Sequence, residues 1–305
     1  MTDRLRLGTR TSRLATWQAE HVAQALEAAH SGLAVELVPF VTEGDKTLDK
    51  PLPEIGGKGL FTLELEQSLL DGRIDLAVHS LKDLPTDDPD GLTLGAITER
   101  EDPRDGWVCP LGLELGDLPG GAVVGTSSLR RGSQLFRRRP DLEIRSIRGN
   151  VETRIRKARE EDYYATVLAV AGLHRLGLME HATAILDFDT MLPAPGQAAL
   201  GVQVRADDPG VRDLVAALDH ADTRAEVEAE RHFLAALGGG CSAPIAALGR
   251  VEGDTLTLRG RVCAVDGSET VEVEEAIPLS ADAAREIGHA AAEHALSEGA
   301  RGVLM

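Results

Sequence analysis

Aromatic residues make up only 3% of this 305-residue sequence, so its cores have to be built from leucine, valine, isoleucine and alanine. Cysteine is scarcer still. Cys109, Cys241 and Cys263 stand far apart, a spacing that makes neither a disulfide framework nor a zinc pattern. Long apolar runs are missing as well. The longest, ATVLAVAGL at 165–173, is far too short to span a bilayer, and the opening MTDRLRLGTR lacks the apolar centre of a secretion signal. There is no Ser-His-Asp order, no HExxH pair, no Walker lysine loop and no metal-ligand cluster. The expectation is a soluble protein of a reducing cytoplasm, with no membrane partner and no metal.

Positive charge is also in short supply. A formal net charge of −18 argues against a general nucleic-acid binder, because phosphate binding needs a basic footprint. The deficit is uneven: residues 128–160 hold eleven Arg or Lys against four Asp or Glu. The guanidinium fork pairs bidentately with carboxylate or phosphate. A small polyanion is therefore the expected ligand, against the plainer reading of a solvated helix face.

What is present reads as alternating strands and helices. LRLGT at 5–9 predicts a strand, SRLATWQAEHVAQALEAA an amphipathic helix with Ser12 as N-cap, and VELVPFV at 35–41 a second strand. Residues 42–60 are glycine- and charge-rich without periodicity, the composition of a functional lid or a disordered stretch. A helix from Phe61 to about Leu70 and a strand at 74–80 follow, then a charged, hinge-like passage at 98–106. The pattern restarts with AVVGTSS, LRRGSQLFRRR, EIRSI, VETRIRKARE and ATVLAV, and 191–204 reads as a return crossing. From about 220 the texture changes to a helix at 223–237, three alternating strands of an antiparallel meander and a closing helix at 282–296. The fold class is two mostly parallel α/β domains and one α+β domain.

Ligands of open α/β sheets gather beyond the carboxyl ends of the strands, and four segments fall there. GTRTSR carries Arg10 and Ser12; VHSLKDLP carries Lys82 and Asp83. GTSSLRR carries Thr126, Ser127, Ser128, Arg130 and Arg131 at a helix start, and SIRGNVETR carries Arg148 and Arg154. Singly, Ser12 and Ser127 could be N-caps, Asp83 an Asx-turn residue before Pro85, and the arginines surface groups. Together they describe an anion site between two facing domains. Asp83, a lone carboxylate among cations, suits proton transfer or the support of a cationic intermediate. His79 reads as structural. LGGGCSAPIA at 237–246 raises a separate question, since three glycines before Cys241 either cap a helix or leave room for something bulky at the thiol.

The ordered set GTRTSRLATWQAE, VPFVTEGDK, GGKGLFTLELE, DLAVHSLKDLPT, REDPRDGWV, VGTSSLRRGSQL, RSIRGNVETR, LAVAGLHRLGL, LPAPGQAALGV and GGGCSAPIA resembles the porphobilinogen deaminases, or hydroxymethylbilane synthases, over nearly the whole chain. The resemblance implies a cytoplasmic, monomeric transferase of tetrapyrrole biosynthesis. Such an enzyme condenses four porphobilinogens head to tail into hydroxymethylbilane and releases ammonia. It implies a dipyrromethane cofactor joined by a thioether to Cys241, with Lys82, Asp83, Thr126, Ser127, Ser128, Arg130, Arg131, Gly172 and Gln197 around it. It implies substrate contacts from Arg10, Ser12, Lys58, Phe61, Arg148, Arg154 and Arg175, and a catalytic role for Asp83. The domains it implies are two periplasmic-binding-protein-like lobes, 1–98 with 193–217 and 99–192, and a cofactor-attachment domain, 218–305. Two positions depart from the family pattern: Glu54 stands where a lysine is usual, and Ala198 replaces the second glycine of a Gly-Gln-Gly turn. A non-catalytic two-lobed anion-binding protein is the main rival, and it leaves Cys241 and the third domain idle.

Overall fold

The structure, a computed structural model, describes residues 4–42, 62–160, 162–240 and 243–304. The chain opens with β1 (Arg4–Arg10), α1 (Arg13–Ala29) and β2 (Ala34–Phe40). The Ser12 hydroxyl accepts the Ala15 N–H at the N-terminus of α1, as its residue type predicts. That helix buries Gln18, Ala19, Val22, Ala23 and Leu26, one face at helical spacing, over Leu5, Leu7 and Leu76 of the sheet beneath. Next come α2 (Leu63–Leu70), β3 (Leu76–Ser80) and β4 (Leu92–Ile97).

A second unit follows: β5 (Asp105–Val108), β6 (Val123–Gly125), α3 (Leu129–Arg138), β7 (Glu143–Arg145), α4 (Val151–Glu160), β8 (Ala165–Ala169), α5 (Val170–Arg175) and β9 (Ala184–Ile185). The chain then returns through β10 (Leu200–Arg205) and α6 (Pro209–Val215). It finishes with α7 (Ala221–Ala236), β11 (Ile245–Glu252), β12 (Thr255–Cys263), β13 (Thr270–Pro278), α8 (Ala283–Ser297) and α9 (Ala300–Val303).

Two five-stranded sheets share one plan. The first runs β2-β1-β3-β10-β4 and the second β7-β6-β8-β5-β9. In each, one strand that has crossed over from the other lobe, β10 or β5, lies antiparallel between two neighbours. The register carries both crossings past the carboxyl ends of the parallel strands, with Leu200 opposite Ser80 and Asp105 opposite Ala169. The third sheet, β11-β12-β13, is an antiparallel meander covered by α7 and α8 around Phe233, Leu256, Leu258 and Ile287. The fold class read from the sequence is the observed one.

Local differences have local causes. The charged passage stops at residue 104, because Asp105-Gly106-Trp107-Val108 is buried throughout and forms β5. Trp107 anchors it with its ring fully buried and its indole N–H on the Leu113 carbonyl at 2.9 Å. The strand expected over 122–128 ends at Gly125, since Thr126, Ser127 and Ser128 form the turn into α3. β4 is not among the predicted strands, although Leu92, Leu94 and Ala96 alternate there, and β9 is two residues long, too short for a periodic signal.

The lobes meet directly at α1. Arg13 reaches Glu152 at 3.4 Å and the Leu176 carbonyl at 3.3 Å, and the Arg175 guanidinium stands 5.7 Å from the centre of the Trp17 ring.

One buried carboxylate ties the third unit to both crossings. Glu230 of α7, 0% exposed, accepts two bonds from Arg100 on the outward crossing, at 2.7 and 3.2 Å. It also accepts the Gly196 N–H on the return crossing at 2.7 Å and the Gly249 N–H of β11 at 2.8 Å. Removing one partner of such a pair strands a buried charge and costs about 3–5 kcal/mol. Glu230→Ala is therefore expected to lower chemical-denaturation stability by roughly that amount, whereas replacing the exposed Glu298 should leave it within about 0.5 kcal/mol.

Candidate functional site

The carboxyl ends of both parallel sheets, the return crossing and the end of α7 enclose a cleft of about 790 Å³, at the large end of the range for small-molecule pockets. Its walls include Arg10, Ser12, Lys82, Asp83, Ser127, Ser128, Arg130, Arg131, Arg148, Arg154, Gly172, Arg175 and Gln197. Thus among the described residues every predicted site residue lines the cleft except Thr126. Thr126 is buried one layer back, where its hydroxyl accepts the Ser128 N–H at 3.2 Å and sets the turn. Lys58, Phe61 and Cys241, with Glu54, lie outside the described residues.

The turns explain the placement. Lys82 and Asp83 sit on a short helical turn, Leu81–Asp83, directly after β3, with Asp83 exposed to the cleft and Lys82 half-buried. Ser128 caps α3 through the Arg131 N–H, and Ser127 bonds the Ser146 hydroxyl at 2.8 Å and the Ile147 carbonyl at 2.9 Å. The serines therefore build the turn and face the cleft at once. Asn150 caps α4 by accepting the Thr153 N–H at 2.9 Å, and Arg154 folds back onto the Gly149 carbonyl at 2.8 Å.

Several cations already have protein partners. Arg130 and Arg131 share the buried Asp105, at 2.8 Å and 2.7 Å. Arg175 pairs with Glu101 and donates to the Ala198 carbonyl at 2.7 Å. Burial alone would raise the Asp105 carboxyl, but Arg130 and Arg131 overcome this and hold it well below the carboxylate range. Lys82 donates to the Gln197 side-chain carbonyl at 3.1 Å. Burial lowers its ammonium to about 8, with Arg131 and Arg130 adding to the fall and Asp83 and Asp105 opposing it. Arg154 is likewise lowered by burial, to about 10, and stays charged at neutral pH. His79 is buried in β3 and lowered by that burial to about 4, a neutral structural imidazole as expected.

The glycine run resolves into three roles. Gly238, at φ +68°, is the left-handed residue that ends α7, its N–H on the Ala235 carbonyl. Gly239 is crowded: a Cβ there would stand 2.7 Å from the end methyls of both Ile245 and Leu234, which would have to move aside. Gly240 is open, with nothing within 4 Å of a Cβ position, and it lines the cleft with Ala243. Helix cap and open approach are both present, two residues apart. The other departure is visible too. Ala198 is the non-glycine residue with positive φ among those described, at 75°, a conformation costing about 1–2 kcal/mol in an L-residue.

Sequence reasoning missed Asp105, Glu230 and Lys157. Asp105 hid in a stretch read as a hinge. Lys157 was legible, since Asn150, Thr153, Arg154 and Lys157 share one face of α4 at helical spacing and all line the cleft. Among the described residues no group of three or more His, Cys, Asp or Glu is placed to hold a metal, and no helix is long and apolar enough to cross a membrane.

Comparison with known proteins places this cleft in a family. The profile described as porphobilinogen deaminase, dipyromethane cofactor binding domain, matches residues 5–213, and the one for the porphobilinogen deaminase C-terminal domain matches residues 224–297. The chain belongs to the porphobilinogen deaminase family. The porphobilinogen deaminase of Syntrophotalea carbinolica is 53% identical over 300 residues, covering 98% of this chain and 95% of its own. That of Geobacter metallireducens is 51% identical over 300 residues, covering 98% and 93%. Among solved structures a methionine-binding protein superposes with TM-score 0.46 at 16% identity, over 71% of this chain and 90% of its own, too loosely to bear on function. The deaminase profile over 5–213 takes in both five-stranded sheets and the cleft turns after β1, β3, β6 and β7.

Proposed function

We propose that this chain is a hydroxymethylbilane synthase, joining four porphobilinogens head to tail and releasing one ammonia at each condensation. The observation that carries the reading is the cleft itself, where Arg10, Lys82, Arg148 and Arg154 line the same walls as Asp83, its one carboxylate among the described residues. A growing chain that bears an acetate and a propionate on every ring needs such cations as counter-charge.

The cleft suits a dipyrromethane attached at Cys241. Gly240 leaves its approach open, and Ala243, Leu234 and Ile245 supply an apolar wall beside it. When bound, that group supplies the nucleophilic pyrrole carbon to which the first substrate is joined. Lys82, Ser128, Arg130 and Arg131 would hold its carboxylates. Arg10, Ser12, Arg148, Arg154 and Arg175 would hold those of incoming rings.

Asp83 does the chemistry in this reading. Its carboxylate faces the pyrrole N–H of the incoming porphobilinogen and orients it. As the aminomethyl C–N bond breaks and ammonia leaves, it stabilises the azafulvene-like cation of that substrate, an electrostatic effect of the kind that commonly dominates catalysis. A new C–C bond then forms and the displaced ring proton passes to a base, for which Asp83 is the placed group. Release after the fourth ring breaks the bond between the first ring's methylene and the pyrrole carbon it was joined to. Water supplies the hydroxyl of that methylene, and a proton returns to the freed pyrrole carbon. A monomer is the simplest assembly, since residues from all three sheets of one chain line the cleft.

Intact-protein mass spectrometry tests this. The expected mass exceeds the chain mass by two porphobilinogens less two ammonias, and incubation with porphobilinogen adds a ladder of single-ring increments. A bare mass that stays bare after incubation would return the site to a simple anion-binding role.

A further inference from the structure

We propose that Asp105, the first residue of β5, is a positioning residue of this site, acting on Arg130 and Arg131 directly and on Lys82 through Gln197. The inference rests on the deaminase reading and adds to it a residue that does not itself touch the substrate.

Asp105 is fully buried, and its two oxygens take four bonds. Oδ2 accepts Arg130 Nη1 at 2.8 Å. Oδ1 accepts Arg131 Nε at 3.2 Å and Nη2 at 2.7 Å, and Gln197 Nε2 at 3.1 Å. Each guanidinium also donates to a backbone carbonyl, Arg130 to Leu192 at 2.6 Å and Arg131 to Val167 at 3.0 Å. The pair is thus clamped between a carboxylate and the main chain, and the clamp fixes what remains free to face the cleft.

The Gln197 contact carries the influence across the lobes. An amide can lie either way round, and its partners decide which. Here Nε2 donates to the Pro103 carbonyl at 2.7 Å and to Asp105, so Oε1 is turned toward Lys82 Nζ at 3.1 Å. Lys82 immediately precedes Asp83. One carboxylate on the second lobe therefore orients a cation next to the catalytic carboxylate on the first, by way of the return crossing.

A buried ion triad is a poor device for stability alone, since apolar residues of the same volume often serve as well or better. It is a good device for fixing direction and charge. The groups facing Lys82 are Arg131 and Arg130 of α3, Asp105 of β5 and its neighbour Asp83, with the Gln197 dipole between. Both carboxylates favour the ammonium and both guanidiniums oppose it. Asp105→Asn removes one of two supporting charges and weakens the hold on the Gln197 amide, leaving the Pro103 carbonyl as the remaining acceptor for its Nε2.

The experiment compares wild type, Asp105→Asn and Asp105→Glu, each confirmed by intact mass to carry the full cofactor increment. It measures kcat and KM for porphobilinogen across pH and follows Lys82 directly by NMR of its 13C-dimethylated amine. Asp105→Asn is expected to lower kcat roughly 100-fold, the scale of a displaced positioning group, without raising KM, because two freed arginines still attract the carboxylates. Its Lys82 titration and the basic limb of kcat/KM should move to lower pH, and Asp105→Glu should restore both toward wild type. Should Asp105→Asn fail to fold, Gln197→Met breaks the relay while leaving the arginine clamp, and the same downward movement is expected. A Lys82 titration and basic limb that stay in place in either variant overturn the proposal. A wild type that makes no hydroxymethylbilane overturns the functional reading instead.

Discussion

Asp83→Asn is expected to cut turnover by about 10²–10⁴-fold while the protein folds and keeps its full complement of cofactor. The substitution keeps the shape and removes the charge. Asp83 is exposed to the cleft on a short turn whose backbone is set by the Leu84 N–H on the Leu81 carbonyl and by the buried Leu81 and Leu84 on either side. None of those contacts needs the carboxylate. Asn can still accept a hydrogen bond from a pyrrole N–H, but it cannot balance a developing positive charge in a cleft already rich in cations. The loss should therefore fall on kcat more than on KM. Stopped reactions should show the first ring increments persisting by mass, where wild type has moved on to product. Wild-type turnover by Asp83→Asn would remove this residue from the mechanism and leave the cleft, among the described residues, without a carboxylate to act as base.

Cys241→Ser should abolish activity outright and leave a bare chain mass. The other two thiols cannot stand in for it. Cys109 is 4% exposed and Cys263 is 1% exposed, each within a packed core, and burial pushes the Cys263 thiol up, away from the reactive thiolate. A serine hydroxyl at 241 keeps the size but is a far weaker nucleophile. The open backbone at Gly240 and the cleft-lining Ala243 would stay as they are, so the variant should fold and unfold like the apoprotein. An unchanged mass increment in Cys241→Ser would place the attachment elsewhere in the chain.

The turns after β1, β3, β6 and β7 were legible because each couples a strand with a helix start through residues of narrow conformational taste: Ser12 caps as its type predicts, Ser128 rather than the expected Ser127 caps α3, Asn150 caps α4, and Gly149 turns. Those same residues mark the cleft, so fold and site were read together. Asp105 and Glu230 were not legible. Their roles depend on partners far along the chain, Arg131 in one case and Arg100 with Gly196 in the other, and no local spacing encodes such pairing. The division of labour among the arginines was hidden for the same reason. Arg130, Arg131 and Arg175 look like free anion hooks in sequence, yet each already holds a protein carboxylate.

The interleaved strand order has a consequence for biosynthesis. β5 to β9 occupy one continuous stretch, 105–185, whereas the first sheet needs β10, at 200–205, inserted between β3 and β4. As the nascent chain leaves the ribosome, the second lobe can close its sheet first, and the lobe translated earliest must wait with β3 and β4 unzipped. Domains ordinarily fold in the order they are made; here the order is reversed by topology. A translational pause near residue 190 would hold two bare strand edges open to solvent, the kind of surface that recruits chaperones or other chains.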